Sequence, residues 1–245
     1  MLNRRNFLKA AAGSAVLAGS SVVMAAEKVE KWDETRDVIV VGSGFAGLTA
    51  AYVAKKAGSD VLVIDKMRTA GGNSIINGGI YPLPGSPEQK AAGVKDSPEL
   101  LISDMLKAGD RLNHIDKVKT MVYGAQETHD WLTEIGVEWA GKLGMEGGHS
   151  VPRELTPKNR LGSGIVLPEY KTCRKLGVDI RLRNYVERII RSPEGEVQGL
   201  KVRVGYRFPK TGSGTVRHIR ARRGVVLCYG GFSADKTYRQ IEDPK

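Results

Sequence analysis

Cysteine is nearly missing from this chain: 245 residues contain only Cys173 and Cys228. That excludes a disulfide-rich scaffold and any four-cysteine zinc or iron–sulfur centre built from this chain alone. No Cys-x-x-Cys-His occurs, so a conventionally attached c-type haem is excluded too. Cys173 falls in an expected helix and Cys228 in an apolar strand, and both read as packed side chains rather than a redox pair. Histidine is scarce, and His114, His129 and His218 have no partner at metal-ligand spacing, so no metal site is expected. Outside the N-terminal segment no apolar run reaches the ~18–20 residues that a membrane-spanning helix needs. Acidic residues are also in deficit: 38 Lys and Arg face 27 Asp and Glu, a net charge of +11. The cations are scattered, and only Arg217-His218-Ile219-Arg220-Ala221-Arg222-Arg223 is dense. No nucleic-acid partner is expected; a basic face that attracts anionic substrates or acidic partners fits better.

What is present begins with an address. Met1-Leu2-Asn3-Arg4-Arg5-Asn6-Phe7-Leu8-Lys9 is followed by a small-residue apolar stretch from Ala10 to Ala26. A charged start, an apolar middle and small residues at the end make a secretory signal, with cleavage after Ala25 or Ala26. Arg4-Arg5 before Phe7-Leu8-Lys9 resembles the twin-arginine export motif, which implies a periplasmic protein that meets the membrane only during export. That route exports proteins already folded around cofactors, which favours a redox cofactor. Removing residues 1–26 takes away three cations and no acid, so the remainder carries +8. The chain as a whole is 41% apolar and 27% charged, and residues 27–245 read as globular.

Glycine is in excess: 30 residues, about 12%, against a usual ~7%. Its placement points to nucleotide chemistry. Asp37-Val38-Ile39-Val40-Val41 is an uninterrupted β-branched run, as in a parallel strand buried on both faces. It leads into Gly42-Ser43-Gly44-Phe45-Ala46-Gly47, then a helix from Leu48 to Ala57 capped by Gly58, then a strand from Asp60 to Ile64 ending at Asp65. Gly42 permits the tight turn, Gly44 lets backbone approach a pyrophosphate, and Gly47 lets helix and strand pack closely. The helix N-terminus presents free N–H groups to phosphates, and Asp65 can accept from a ribose hydroxyl. This order of elements does not separate FAD from NAD. Gly71-Gly72-Asn73-Ser74 and Asn77-Gly78-Gly79 follow, and paired glycines let backbone lie against a flat ring or a pyrophosphate.

These segments resemble the fumarate reductase and succinate dehydrogenase flavoprotein family, in particular its soluble flavocytochrome c branch. Asp130-Trp131-Leu132-Thr133-Glu134-Ile135-Gly136-Val137, Gly147-Gly148-His149-Ser150-Val151-Pro152-Arg153 and Gly224-Val225-Val226-Leu227-Cys228-Tyr229-Gly230-Gly231-Phe232 extend the likeness over residues 36–245. The resemblance implies an α/β fold: a Rossmann-like FAD-binding domain with a parallel sheet and small helical and β insertions. It places Gly42, Gly44, Ala46 and Gly47 around the FAD pyrophosphate and Asp65 on the adenosine ribose, where the family usually has Glu. Asn73, Ser74, Gly78 and Gly79 would run along the pyrophosphate and flavin, Val186 would meet the adenine through its backbone, and Gly230 and Gly231 would flank the cofactor. His149, Ser150 and Arg153 would neighbour flavin or substrate; His149 also reads as an acid–base candidate or a hydrogen-bonded loop residue, and Arg153 as a surface residue. Asn73 stands where membrane-bound members carry the His that bonds FAD, which implies non-covalent FAD.

The resemblance also implies an FAD-dependent oxidoreductase that reduces a C=C bond in a small anionic, fumarate-like carboxylate. Electrons would come from a separate donor, with a c-type cytochrome as the expected class. The capping domain and the proton-donating arginine of the family would lie beyond residue 245, so the chain is read as the N-terminal portion of an enzyme and no catalytic residue is named. Two alternatives stay open: another enzyme of the group, such as an amino-acid oxidase or a ketosteroid dehydrogenase, or an FAD-binding fragment inactive without its C-terminal half. Elsewhere, residues 80–98 read as a Pro-rich loop, 99–137 as helical, and Ile165–Leu176 as a helix whose start Pro168 restricts, the proline falling in an early turn. Residues 178–223 read as strands around turns at 192–195 and 210–214.

Overall fold

A computed structural model describes residues 29–242. The export signal read in residues 1–26 lies outside the described residues. Among them, no helix is long and apolar enough to cross a membrane.

The first unit forms where the sequence pattern demands it. Strand β1 (Glu34–Val41), helix α1 (Phe45–Lys56) and strand β2 (Val61–Ile64) follow in order. β1 and β2 pair in parallel, Val38 opposite Val61 through Val41 opposite Ile64. All four residues of β2 are buried. Successive side chains of a strand point to opposite faces, and both faces are used. Val40, Val61 and Val63 pack with Leu48 and Ala51 of α1 and with Val166 and Cys173. Ile39, Val41, Leu62 and Ile64 pack with Leu200, Val202, Ile219 and Ala221.

The six-stranded sheet runs β5-β2-β1-β8-β7-β6. Its remaining strands are β5 (Asp179–Arg181), β6 (Asn184–Arg191), β7 (Val197–Val204) and β8 (Thr215–Leu227). β5, β2, β1 and β8 are parallel, while β7 and β6 complete an antiparallel meander. β7 covers β8 only from Thr215 to Arg220. From Gly224 to Leu227, β8 has β1 on one side and no paired strand on the other among the described residues. Val226 and Leu227 are exposed there.

Between β2 and β5 the chain makes a short 3₁₀ turn at Gly72–Ser74 and a two-stranded ribbon of β3 (Tyr81–Pro82) and β4 (Glu154–Leu155). The helices are α2 (Pro87–Ala91), α3 (Pro98–Ala108), α4 (Ile115–Tyr123), α5 (Ala125–Glu134) and α6 (Ser163–Lys175). A last helix, α7 (Lys236–Glu242), follows β8. The segment 80–98 is therefore not all loop: Ser86 and Ser97 cap α2 and α3 through their hydroxyls, each with Pro in the first turn, the position Pro tolerates best. Pro168 lies inside α6, more than a turn from its start at Ser163, rather than in an early turn. Gly162 makes the difference, because its carbonyl accepts from Ile165 and Val166 and so starts the helix before the apolar pattern begins.

Candidate nucleotide-binding site

The chain's own packing fixes the glycine turn. Gly42 has φ +105°, and a Cβ there would run into the carbonyl of Cys228. Gly42 N–H donates to Ile64 (2.8 Å), and Cys228 N–H donates to Val41 (2.8 Å). The ends of β1, β2 and β8 thus meet at one point, outside the carboxyl ends of the parallel strands, where open α/β sheets bind ligands. A Cβ on Gly47 would strike the Gly42 carbonyl, which is what lets α1 start so close to β1. A Cβ on Gly44 would meet the Ser74 hydroxyl at 2.8 Å.

Asp65 is 7% exposed, and its carboxylate is largely engaged. It accepts from Ser43 N–H (2.9 Å) and Ser43 Oγ (2.5 Å) on one oxygen and from Met67 N–H (2.8 Å) on the other. A carboxylate offers about four lone-pair sites, so room remains for one further donor. Ser43 is not marked by the sequence pattern, yet it is fully buried and joins three pieces: its hydroxyl donates to Asp65 and accepts from Gly71 N–H (3.1 Å). Its only signal is a small hydroxyl residue between two glycines.

Ser74 closes the other side. Its hydroxyl accepts from Phe45 N–H (3.2 Å), the first amide of α1, whose N-cap residue Gly44 offers no side-chain cap. Asn73 and Gly78 are exposed, as is Ala46 in the first turn of α1. Gly79 has φ +65° and lies against Pro157. The loops are tied together: Gly162 N–H donates to the Asn77 carbonyl (2.6 Å), and Asn77 Oδ1 accepts from Gly79 N–H (2.6 Å). Val186 lies on the edge strand β6, opposite Val202. The start of that strand is fastened to the Asp65 loop by Asn184 N–H to Asp65 O (2.8 Å) and Arg183 N–H to Met67 O (2.8 Å). Gly230 (φ +85°) and Gly231 are exposed, with nothing within 4 Å of an added Cβ.

His149, Ser150 and Arg153 lie in a different constellation. Arg153 is completely buried and forks onto Asp96, Nε to Oδ2 (2.8 Å) and Nη2 to Oδ1 (2.9 Å). Its Nη1 donates to Asp104 (2.6 Å) and to His149 Nδ1 (2.9 Å). Ser150 donates both N–H and Oγ–H to Asp104, and His149 Nε2 lies 3.3 Å from Glu154. Burial pushes the carboxyls of Asp96 and Asp104 up, but the hydrogen bonds and the Arg153 charge outweigh it and hold both below the ordinary Asp value. The donors of Arg153 are thus spent inside the protein. Asp96 and Asp104 stand far from Arg153 in sequence and carry no local signal, so sequence reasoning misses them.

A second unmarked group is Glu169 on α6, 2% exposed. Thr49 on α1 donates to its Oε1 (2.9 Å), while Oε2 has no partner. Burial pushes its carboxyl up to about 8, against a small opposing effect of the Thr49 bond.

The geometry suits a dinucleotide. It offers a helix N-terminus whose N-cap residue is a glycine, half-buried backbone at Gly44 and exposed backbone at Gly78, and a carboxylate at the end of the second strand. The model for the FAD binding domain family matches residues 37–244. The chain is 40% identical to the acrylate reductase flavoprotein subunit of Shewanella woodyi, over 100% of this chain but 49% of that protein. It superposes on the open conformation of a flavocytochrome c3 fumarate reductase with a TM-score of 0.79 and 29% identity, covering 100% of this chain and 39% of the other. The 3-ketosteroid-Δ4-(5α)-dehydrogenase of Rhodococcus jostii RHA1 gives a TM-score of 0.75 at 29% identity, over 89% and 50%. The chain thus spans about half the length, or less, of these relatives. With a family match over most of its length and the strand–turn–helix–strand geometry in place, the chain belongs to the FAD binding domain family.

Proposed function

We propose that this chain is the FAD-holding part of a reductase acting on a C=C bond conjugated to a carboxylate. The observation that carries the reading is the tight turn at Gly42–Gly47, which brings the N-terminus of α1 to the carboxyl ends of the parallel strands, with its first amide held by Ser74 from the neighbouring loop. FAD, when bound, supplies the hydride chemistry; the protein supplies position and charge.

In this reading Gly42, Gly44, Ala46 and Gly47 surround the pyrophosphate. Asp65 uses its one remaining acceptor site for the ribose, and Ser43 holds it there. Asn73, Ser74, Gly78 and Gly79 line the pyrophosphate and flavin, Val186 the adenine, and Gly230 and Gly231 the opposite side. Ser74 satisfies the Phe45 amide and so orients the first turn of α1 toward the ligand. Asn73 lacks a nucleophilic ring nitrogen, so FAD is held non-covalently. His149, Ser150 and Arg153 shape the neighbouring loop through Asp96 and Asp104 instead of donating to a ligand. Residues 1–26 direct export to the periplasm by the twin-arginine route, residues 27–245 form the incomplete domain, and a separate donor such as a c-type cytochrome supplies electrons.

The test is anaerobic. Photoreduced holoprotein, completed by the rest of its polypeptide, is mixed with acrylate, fumarate or a neutral enone steroid, and flavin absorbance is followed. Reoxidation by an unsaturated acid and not by the steroid is expected. Reoxidation by the steroid alone would favour the ketosteroid dehydrogenase reading, which the Rhodococcus likeness supports. No reoxidation by any of them would overturn both.

A further inference from the structure

A groove of about 370 Å³ opens beside the Gly78 loop, lined by Ile80, Ala140 and Leu143 and bordered by Thr156, Lys142 and Arg160. That size suits a small molecule. Its wall is apolar, and its two charged residues have the same sign. Neither Lys142 nor Arg160 has a carboxylate partner among the described residues, whereas nearby Lys158 pairs with Glu138 at 3.3 Å. Two cations without a carboxylate partner at one opening give it a positive field, which the Glu154 carboxylate behind Gly144 offsets only from within the protein.

The backbone holds Arg160 in place at a cost. Its φ is +56°, a left-handed conformation that suits glycine and is rare for a long side chain. The turn is kept by Arg160 N–H to the Pro157 carbonyl (2.8 Å) and by Leu161 N–H to Asn159 Oδ1 (3.1 Å). Two residues on, Gly162 is fastened to the Asn77 carbonyl at 2.6 Å and lies so tightly against the Ser74 carbonyl that a Cβ would clash. The guanidinium-bearing loop is therefore anchored to the same segment that carries Gly78 and Gly79. Strain of this kind persists where surrounding contacts over-determine it, and it gathers at ligand sites.

We propose that this groove is a binding site for a small carboxylate with an apolar body, with Lys142 and Arg160 receiving the carboxylate and Ile80, Ala140 and Leu143 covering the carbon skeleton. Lys142 and Arg160 are positioning residues: they recognise charge and leave the bond chemistry elsewhere. The identification of the carboxylate as substrate rests on the reductase reading; the site itself does not. An arginine fork and a lysine point charge distinguish an acid from its amide, which has the same shape and no charge.

The test uses propionate and propionamide as unreactive probes, titrated calorimetrically into the full chain. Propionate is expected to bind more tightly than propionamide, and the double variant Lys142→Gln, Arg160→Gln is expected to weaken propionate at least tenfold while leaving propionamide and FAD content unchanged. Arg160→Gly is the control for folding: it suits the left-handed backbone, so it should melt at or above the wild-type temperature and still lose propionate affinity. Equal propionate affinity in wild type and double variant overturns the site. Loss of FAD from the double variant also overturns it, because the cations would then serve the cofactor's pyrophosphate. Propionate binding that depends on both cations, in a protein whose flavin no unsaturated acid reoxidises, would uphold the site and sink the reductase reading alone.

Discussion

Two glycine turns sit side by side at the carboxyl ends of β1 and β8, and they differ in what requires them. At Gly42 and Gly47 an added Cβ meets backbone of the chain itself. At Gly231 it meets nothing within 4 Å, and the flanking Tyr229 and Phe232 are exposed. The first turn is demanded by packing inside the domain. In the second, Gly230 answers to its own left-handed backbone (φ +85°), while no described residue demands a glycine at 231, so any demand there comes from a ligand or from polypeptide outside the described residues. A glycine pattern read from sequence mixes these two kinds of requirement; the structure separates them.

The largest effect should come from the packed turn. Gly47→Ala forces a Cβ into the Gly42 carbonyl and is expected to cost roughly 4 kcal/mol or more, read by urea denaturation, with loss of bound flavin. Gly42→Ala should behave alike. If either variant melts like wild type, the packed half of the comparison is broken.

Next is Arg153→Met. It removes the only cation between Asp96 and Asp104 among the described residues, leaving buried carboxylates uncompensated, and should cost about 3–5 kcal/mol. The same cluster predicts acid sensitivity. Both Asp groups titrate below their ordinary value of 3.8 in the folded protein, so their contribution is present above that value and is lost as pH falls through the lowered folded values. Denaturation midpoints at pH 3 and pH 6 should therefore lie further apart in wild type than in a variant with both Asp residues replaced by Asn.

A smaller, pH-gated effect belongs to Glu169, which reaches from α6 to α1. Its folded value of about 8 lies above the ordinary 4.5, so the folded protein holds the proton and stability falls as pH rises between those values. Glu169→Gln keeps the hydrogen bond from Thr49 without the charge. It should be near neutral at pH 5 and stabilise by a few kcal/mol at pH 9, seen as a thermal midpoint that no longer drops with pH. A variant that tracks wild type across that range would show the carboxyl to be ionised in place.

The smallest effect is expected at Gly231→Ala, within about 0.5 kcal/mol of wild type in stability, while FAD affinity falls. Unchanged stability with unchanged FAD affinity would mean that the second turn answers to neither.

Much of the first unit is legible in the sequence because its determinants are local. The β-branched run at 37–41, the glycine spacing and the acid after β2 all lie within a short stretch, and the described strands and α1 follow them closely. The start of α6 is less legible, because Gly162 closes its first turn from outside the apolar pattern. The partners of Arg153 are not legible at all: Asp96 and Asp104 reach it from another helix and loop, and only the folded chain brings them together. Ser43 escapes sequence reasoning because a variable position between two glycines carries no expectation, although its hydroxyl links β1, Asp65 and Gly71.

The most direct measurement is the visible absorption spectrum of the purified protein before and after acid precipitation. A flavin spectrum that moves entirely into the supernatant is expected on the proposed reading, in which Asn73 makes no covalent link and the Gly42–Asp65 turn grips FAD by shape and hydrogen bonds alone. Flavin retained in the pellet, or folded protein that carries no flavin and takes up none when FAD is added, would contradict it.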